Sequence, residues 1–468
     1  MDMLIFELER NSDKPLYEQL YVGIKNAIIS KRIEVGTKLP SKRKLADFLN
    51  ISQTTIEIAY AQLLAEGYII SVPRVGYFVE TIDDLPYVEN ETNLEPVPLV
   101  IKQSFEIDFN PGTIDLDGFP FTTWRKYAKL LIDEHNKDLL LTGHPQGEYE
   151  LRVEIAKYLY QSRGVVCSPE QIVIGSGTEQ LLPMIIRLLN SNEFAIENPG
   201  YKTVNRIIKH TGRTVFPIQV DEEGIRISDL EQTTANVVYV TPSHQFPTGA
   251  VLSATRRSQL LNWAAQHSDR FIIEDDYDSE FRYLGKPIPS LQGLDNNDKV
   301  IYMSTFTKSL MPSLRVAYFV LPKSLLSTYH NTFTYYTSTV PRFDQHILAN
   351  FMKDGHFAKH LNRMRKLYKK KHEHMTEVIE RHYPTLSISG EYAGMNIVLS
   401  VPHDLSEQQL KEKASNHGIG VYPISDYMIS PIEYNVPQFL LGFGGLNFDG
   451  IENAIHKLMS IWGVKRVN

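Results

Sequence analysis

Four short apolar runs, each broken off by a cluster of glycine, hydroxyl or charged residues, constrain this chain more than any other feature. Ile172-Val173-Ile174 runs into Gly175-Ser176-Gly177-Thr178, and Val237–Val240 into Thr241-Pro242-Ser243-His244-Gln245-Phe246-Pro247-Thr248-Gly249. Phe271-Ile272-Ile273 ends in Glu274-Asp275-Asp276-Tyr277. Val300–Met303 ends in Ser304-Thr305-Phe306-Thr307-Lys308, with Arg315 shortly after. Runs this short and apolar suit strands buried on both faces. Helical stretches alternate with them, which predicts an α/β fold with a largely parallel sheet. Ligands of such open sheets gather beyond the carboxyl ends of the strands, where these clusters fall.

The first eighty residues follow a different pattern. Pro15 opens a helical stretch with Leu16, Leu20, Ile24, Ala27 and Ile28 on one side. Gly36 breaks it, and Ser41 is the N-cap of a short second helix with Leu45, Phe48 and Leu49 as its apolar face. Asn50-Ile51 turns the chain, and Ser52 caps a third helix. There Ile56, Ala59, Tyr60, Leu63 and Leu64 form a core-facing stripe. Gly67 stops it, and Tyr68–Ser71 and Tyr77–Glu80 read as a hairpin around Pro73-Arg74-Val75-Gly76. Three helices and a hairpin predict a winged helix-turn-helix over residues 1–80. Ser52, Gln53, Thr54 and Thr55 are placed for base edges in a major groove. Lys42 and Arg43 suit phosphate contacts, and Arg74 with Gly76 at the hairpin tip suits a narrow minor groove.

Charge agrees with local rather than overall basicity. The chain of 468 residues carries a formal net charge of -7, yet Lys31, Arg32, Lys38, Lys42, Arg43 and Lys44 crowd one short stretch. Residues 81–105 hold five acids and three prolines with little apolar periodicity, a linker composition. Residues 106–468 form the α/β unit. One cysteine, Cys167, excludes an intramolecular disulfide and a multi-cysteine zinc centre; no metal is expected, and a reducing cytoplasm is. No run is long and apolar enough to predict a membrane span.

Taken singly, each strand-end cluster is commonly structural. Together they match the needs of pyridoxal 5'-phosphate (PLP): a lysine for a Schiff base, an acid for the pyridine nitrogen, and a cationic, amide-rich phosphate cradle. The glycine turn before the helix from Glu179 is such a cradle.

Three strings carry a resemblance to the GntR-type DNA-binding module: Pro15-Leu16-Tyr17-Glu18-Gln19-Leu20, Gly36-Thr37-Lys38-Leu39-Pro40-Ser41-Lys42-Arg43-Lys44-Leu45-Ala46 and Ala59-Tyr60-Ala61-Gln62-Leu63-Leu64-Ala65-Glu66-Gly67-Tyr68. The module usually opens its recognition helix with Ser-Arg; here Ser52-Gln53 stands there. The strand-end set resembles fold-type I PLP-dependent aminotransferases, and the fusion is similar to the MocR/GabR-type regulators of the GntR family. The resemblance implies a covalent Schiff base at Lys308, Asp275 on the pyridine nitrogen and Tyr277 on the ring O3′. It also implies Ser176, Gly177, Thr178, Thr305 and Arg315 around the phosphate, and Tyr201 stacked on the ring. Where many aminotransferases carry Asn-Pro-Thr-Gly, this chain has Gln245-Phe246-Pro247-Thr248-Gly249, so an O3′ contact from this loop is not carried over.

Two departures separate a sensor from an enzyme. The aminotransferase arginine that clamps a substrate carboxylate falls in an Arg-Leu-x-Phe-like string, and Leu440-Leu441-Gly442-Phe443 stands there. Thr142 stands where relatives often place a tyrosine reaching a neighbouring subunit's site. Both favour a PLP-binding transcriptional regulator, with no catalytic residues assigned, over an aminotransferase carrying a DNA-binding domain. Of the regulators, the PdxR type takes PLP itself as effector and controls vitamin B6 synthesis, whereas the GabR type senses γ-aminobutyrate on bound PLP. The missing clamp favours the first. A homodimer on a double-stranded operator is the expected assembly.

Overall fold

The computed structural model describes residues 8–10, 12, 14–81, 104–283, 288–390, 393–432 and 434–467. The chain divides into two compact units, Met1–Ile101 and Lys102–Asn468. The expected linker, 81–105, falls almost wholly outside the described residues.

In the first unit the helices span Leu16–Ile29, Lys42–Leu49 and Gln53–Ala65, followed by β1 (Ile69–Val72) and β2 (Gly76–Val79), paired antiparallel. The Ser41 and Ser52 hydroxyls accept the backbone N–H groups of Lys44 and Thr55 at 3.3 and 3.1 Å, so both expected N-caps form. Asn50 closes the second helix in the left-handed conformation, which a short polar side chain tolerates. Leu20, Ile24, Leu45, Ile56, Ala59 and Leu63 fill the core. Phe48 and Leu64 do not join it; each is 40% exposed. An eight-residue helix turns only a narrow face to its neighbours, and Leu45 and Ala46 already occupy it. Leu64 lies one residue past Leu63, about 100° around the helix and off the stripe.

The second unit is built on an eight-stranded sheet. After a short β3 (Ile107–Asp108) come β4 (Ile172–Gly175), β5 (Glu193–Asn198), β6 (Thr214–Asp221), β7 (Gly224–Ile225) and β8 (Val237–Val240). β9 (Phe271–Asp276), β10 (Val300–Thr305) and β11 (Ala317–Val320) complete it. The order is β4-β11-β10-β9-β8-β5-β6-β7. The run from β10 through β9, β8 and β5 to β6 is parallel, while β11 lies antiparallel to both its neighbours. Strand residues divide between two buried faces with a period of two. Val173, Tyr239, Ile273 and Met303 meet the helices Thr178–Leu189 and Lys202–His210. Ile172, Ile174 and Tyr302 meet Tyr149–Arg163 and Arg342–Lys353 on the other face, and Val238 and Ile272 meet Ala254–Ala265 there.

A smaller sheet follows, of β12 (Ser387–Ser389), β13 (Asn396–Ser400), β15 (Tyr422–Pro423) and β16 (Gln438–Gly442), all antiparallel. A two-residue β14 (Ile419–Gly420) pairs with β3. Helices His356–His382, Glu407–Ser415 and Ile451–Trp462 close its core around Phe109, Tyr368, Ile397, Leu441 and Trp462.

Candidate functional site: a strand-end cavity and a helix-turn-helix face

A cavity of about 350 Å³ lies at the carboxyl ends of the parallel strands. Of the expected residues, Gly177, Thr178, Tyr201, Asp275, Tyr277, Thr305, Lys308 and Arg315 line it. Ser176 does not; it is half-buried, and its N–H donates to the Gln180 side chain at 3.1 Å.

The phosphate end is set by backbone geometry. Gly177 has φ +146, and a Cβ there would stand 2.4 Å from Nη2 of Arg315. The angle favours glycine, and any side chain there would push the Arg315 guanidinium aside. It precedes the helix Thr178–Leu189, whose N-terminus has no side-chain cap, leaving amide donors and the helix dipole for an anion. Arg315 is itself held in the left-handed region at φ 50, a strain of about 1–3 kcal/mol of the kind that concentrates at ligand clamps.

At the other end, strand periodicity separates two adjacent acids. Asp275 continues the face of Ile273 and lines the cavity. Asp276 turns to the opposite face, where Nε of Arg163 meets it at 2.7 Å and the Tyr302 hydroxyl donates at 2.6 Å. Burial pushes the Asp275 carboxyl up to about 7, against the hydroxyl hydrogen bond that Tyr239 donates to it. A cationic ring nitrogen placed against it would restore an ordinary carboxylate. Burial likewise lowers the Lys308 amine below its usual value, with Asp278 opposing the shift from 3.7 Å. Nζ of Lys308 lies 4.6 Å from the centre of the Tyr277 ring.

Three of the residues that complete this end were not anticipated. Burial raises the proton affinity of Asp278, but His244 and Lys308 together bring it below the usual carboxylate range. His244 Nδ1 is 3.1 Å from Asp278 and 3.0 Å from the Tyr277 hydroxyl. Tyr239 is the third. His244 and Asp278 adjoin residues already singled out, Gln245 and Tyr277; nothing in their spacing says which way they face. Gln245 is structural: its amide donates to the Pro199 and Phe246 carbonyls at 2.9 and 2.7 Å, and its oxygen accepts from Thr248.

The remaining wall is aromatic. Phe246 packs edge-on against Tyr427 at 5.0 Å and against Tyr201 and Tyr277 at 5.9 Å. Behind Phe246 and Tyr427 lies a buried apolar cluster of Val398, Ile424 and Leu440. Leu440 is fully buried, so the position of the expected substrate clamp faces hydrocarbon. Among the described lining residues the cations are Lys308 and Arg315. Thr142 is exposed and does not line the cavity.

In the first unit Ser52, Gln53, Thr54, Arg43 and Arg74 are exposed, as expected. Arg74 holds φ 65 at the hairpin tip and Gly76 φ 136. Two expected contacts are already engaged. Nζ of Lys42 lies 2.5 Å from Glu57 and over the Tyr77 ring, and half-buried Thr55 is 2.8 Å from the Ser52 hydroxyl. The helix register puts Glu57 beside Lys42, which a reading of either helix alone misses.

An open α/β sheet whose strand ends converge on a half-buried lysine, a buried aspartate and a glycine–arginine cradle defines a fold-type I aminotransferase-like protein, a fold that implies PLP as cofactor. Residues 106–434 match the family Aminotransferase class I and II, and residues 16–79 match the bacterial regulatory proteins of the gntR family. The chain belongs to the GntR-family transcriptional regulators of MocR type, a helix-turn-helix module joined to an aminotransferase-like domain. It is 45% identical to the HTH-type transcriptional regulator YdeL of Bacillus subtilis, over 99% of this chain and 100% of that protein. It is 32% identical to a probable rhizopine catabolism regulatory protein, MocR, of Rhizobium meliloti, over 97% and 95%. It is 29% identical to the pyridoxine biosynthesis transcriptional regulator PdxR of Corynebacterium glutamicum, over 87% and 88%. Among solved structures, an archaeal alanine:glyoxylate aminotransferase superposes with a TM-score of 0.70 at 26% identity, covering 76% of this chain and 90% of that one. No helix among the described residues is long and apolar enough to cross a membrane.

Proposed function

We propose that this regulator senses PLP itself and controls genes of vitamin B6 synthesis, acting as a cytoplasmic homodimer on an operator. The observation that carries the reading is the contrast within one cavity. The cofactor end is fully furnished, while the position of the carboxylate clamp is a buried leucine, Leu440, in an apolar cluster. Among the described lining residues an amino acid there would meet aromatic rings, and the one guanidinium, that of Arg315, stands at the glycine turn, so the clamp that orients a substrate for transamination is not among them. PLP by contrast would have a candidate partner for each of its polar groups among the lining residues. The similarity to PdxR points the same way.

When bound, PLP supplies an electrophilic aldehyde carbon for an amine to attack. The chain's own groups prepare for it. Burial favours the neutral amine of Lys308, and Asp278, anchored by His244, takes the proton's charge nearby. Asp275 would pair with the ring nitrogen, and Tyr277 would reach the ring hydroxyl. Tyr201 would cover the ring, and Gly177, Thr178, Thr305 and Arg315 would hold the phosphate. On the DNA side Arg43 and Arg74 would meet phosphate and minor groove, with Ser52, Gln53 and Thr54 at base edges.

Coupling requires that PLP bind one arrangement of the protein better than the other. DNA affinity for the promoter next to this gene should change by about 5- to 150-fold on adding PLP. An unchanged affinity with PLP, alongside a shift when an α- or γ-amino acid is added to the PLP-loaded protein, overturns the reading.

The phosphate seat gives a second expected result. Oε2 of Glu179 lies 3.1 Å from Nη2 of Arg315, where a phosphate would compete for the same guanidinium. Glu179→Gln is expected to tighten PLP binding by about two- to fivefold, the range of an exposed ion pair. Pyridoxal, which lacks the phosphate, serves as the comparison in equilibrium titrations. An equal gain for pyridoxal would place the effect elsewhere.

A further inference from the structure

Away from the cavity, the end of the helix His356–His382 and the helix Ile451–Trp462 bring His382, Glu452 and His456 together. Each offers one ligand atom, and these atoms all lie within 4.8 Å of one another. Glu452 and His456 are four residues apart on one helix, with Oε1 and Nε2 3.3 Å apart. The second ring nitrogen of each histidine is anchored. Nδ1 of His456 lies 2.7 Å from the hydroxyl of buried Tyr383, and Nδ1 of His382 lies 3.2 Å from the Val467 carbonyl. That leaves Nε2 of each ring as the ligand atom, that of His456 already beside Oε1 of Glu452. A polar group on the remote nitrogen is the usual support of a metal-bound imidazole, fixing its tautomer and aim.

We propose that His382, Glu452 and His456 form a binding site for a divalent transition-metal ion of the zinc class. Two imidazoles and one carboxylate suit zinc, cobalt or nickel, and argue against magnesium or calcium, which take oxygen ligands. Three protein ligands leave one position for water in a tetrahedral set. The ion would tie the C-terminal segment, through Val467 and His382, to the helix carrying Glu452. Arg466 opposes it: its Nε lies 3.4 Å from Nδ1 of His382, where it would displace the Val467 contact by needing a bare nitrogen, and its charge repels an ion on the ring. The side chain is exposed and must turn outward as the ion enters. A second cluster, Glu148, Glu150 and His346, is a poorer candidate, because Arg342 already holds both oxygens of Glu148 at 2.9 Å.

The test is calorimetric titration of the full-length, tag-free protein with Zn²⁺, paired with the visible spectrum on Co²⁺ substitution. One ion per chain and a tetrahedral Co²⁺ band are expected. His382→Gln and Glu452→Gln should each weaken binding at least about tenfold, and Tyr383→Phe about tenfold, the scale of losing a supporting hydrogen bond. Arg466→Gln should tighten it. The far-ultraviolet circular dichroism of each variant checks folding, and Glu148→Gln should leave the titration unchanged. No heat and no cobalt band, or binding that survives His382→Gln and falls with Glu148→Gln, overturns the proposal.

Discussion

Lys308→Ala protein is expected to remain colourless when mixed with PLP and to yield no borohydride-trapped adduct, whereas the parent chain turns yellow and is trapped stoichiometrically. The expectation follows from position as much as from residue type. Lys308 lies in the loop after β10 with its side chain 12% exposed in the cavity, and partial desolvation lowers its proton affinity. A neutral amine is the nucleophile; an ammonium ion is not. Asp278 lies within 3.7 Å and is held by His244 from the other side, so the chain keeps a charge ready to accommodate a proton as the amine reacts. Alanine removes the bond but leaves the Gly177–Arg315 cradle and Asp275 in place. Residual, rapidly reversible PLP binding is therefore expected, seen as quenching of protein fluorescence. Operator binding without PLP should match the parent, because the substitution lies in the other unit. Persistent colour and trapping in the alanine variant would assign the covalent bond to another amine and remove the basis of the proposed function.

Arg163→Met is expected to lower the stability of the large unit by about 3–5 kcal/mol, the usual consequence of stripping one partner from a buried ion pair. Arg163 and Asp276 have side-chain exposures of 4% and 1%, so water cannot replace what is lost. The guanidinium also holds the Ser243 hydroxyl and the Ile288 carbonyl, and so joins the strand ends of β8 and β9 from beneath the cavity. One oxygen of Asp276 already has no hydrogen-bond partner, and without the arginine the Tyr302 hydroxyl is what remains on the other. Urea unfolding followed by circular dichroism gives the loss directly. The double variant Arg163→Met/Asp276→Leu should recover a large part of it, since replacing a whole buried pair by apolar groups is often close to neutral. A single variant as stable as the parent would show that Asp276 relaxes to solvent or a new partner. PLP affinity is a second readout, expected to fall because Asp275 shares the strand end.

Both predictions depend on distinctions that differ in how far they could be read from the chain. Adjacent Asp275 and Asp276 are chemically alike, yet strand periodicity alone says that they face opposite ways. Which of the two faces holds the cavity was legible only through the resemblance. The three-helix module was legible down to its capping serines, because caps and apolar stripes are local. Its surface was less so. Phe48 and Leu64 fit the apolar pattern and are nevertheless exposed, and Lys42 is committed to Glu57 across two helices. The metal-ligand trio was invisible for the same reason, since His382 and Glu452 meet only after a long excursion through the small sheet.

By itself the sequence determined the periodicities, the caps, the glycine at 177 and the order of the strand-end clusters, all properties of residues close together along the backbone. The tertiary structure decided which members of those clusters converge, that Asp278 and His244 buttress Lys308, and that Gln245 supports the loop without reaching the cavity. It also decided that Leu440 backs the aromatic wall where a clamp would stand. Local conformational preference acts over a few residues, whereas burial and charge pairing depend on which distant segments the parallel sheet lays side by side.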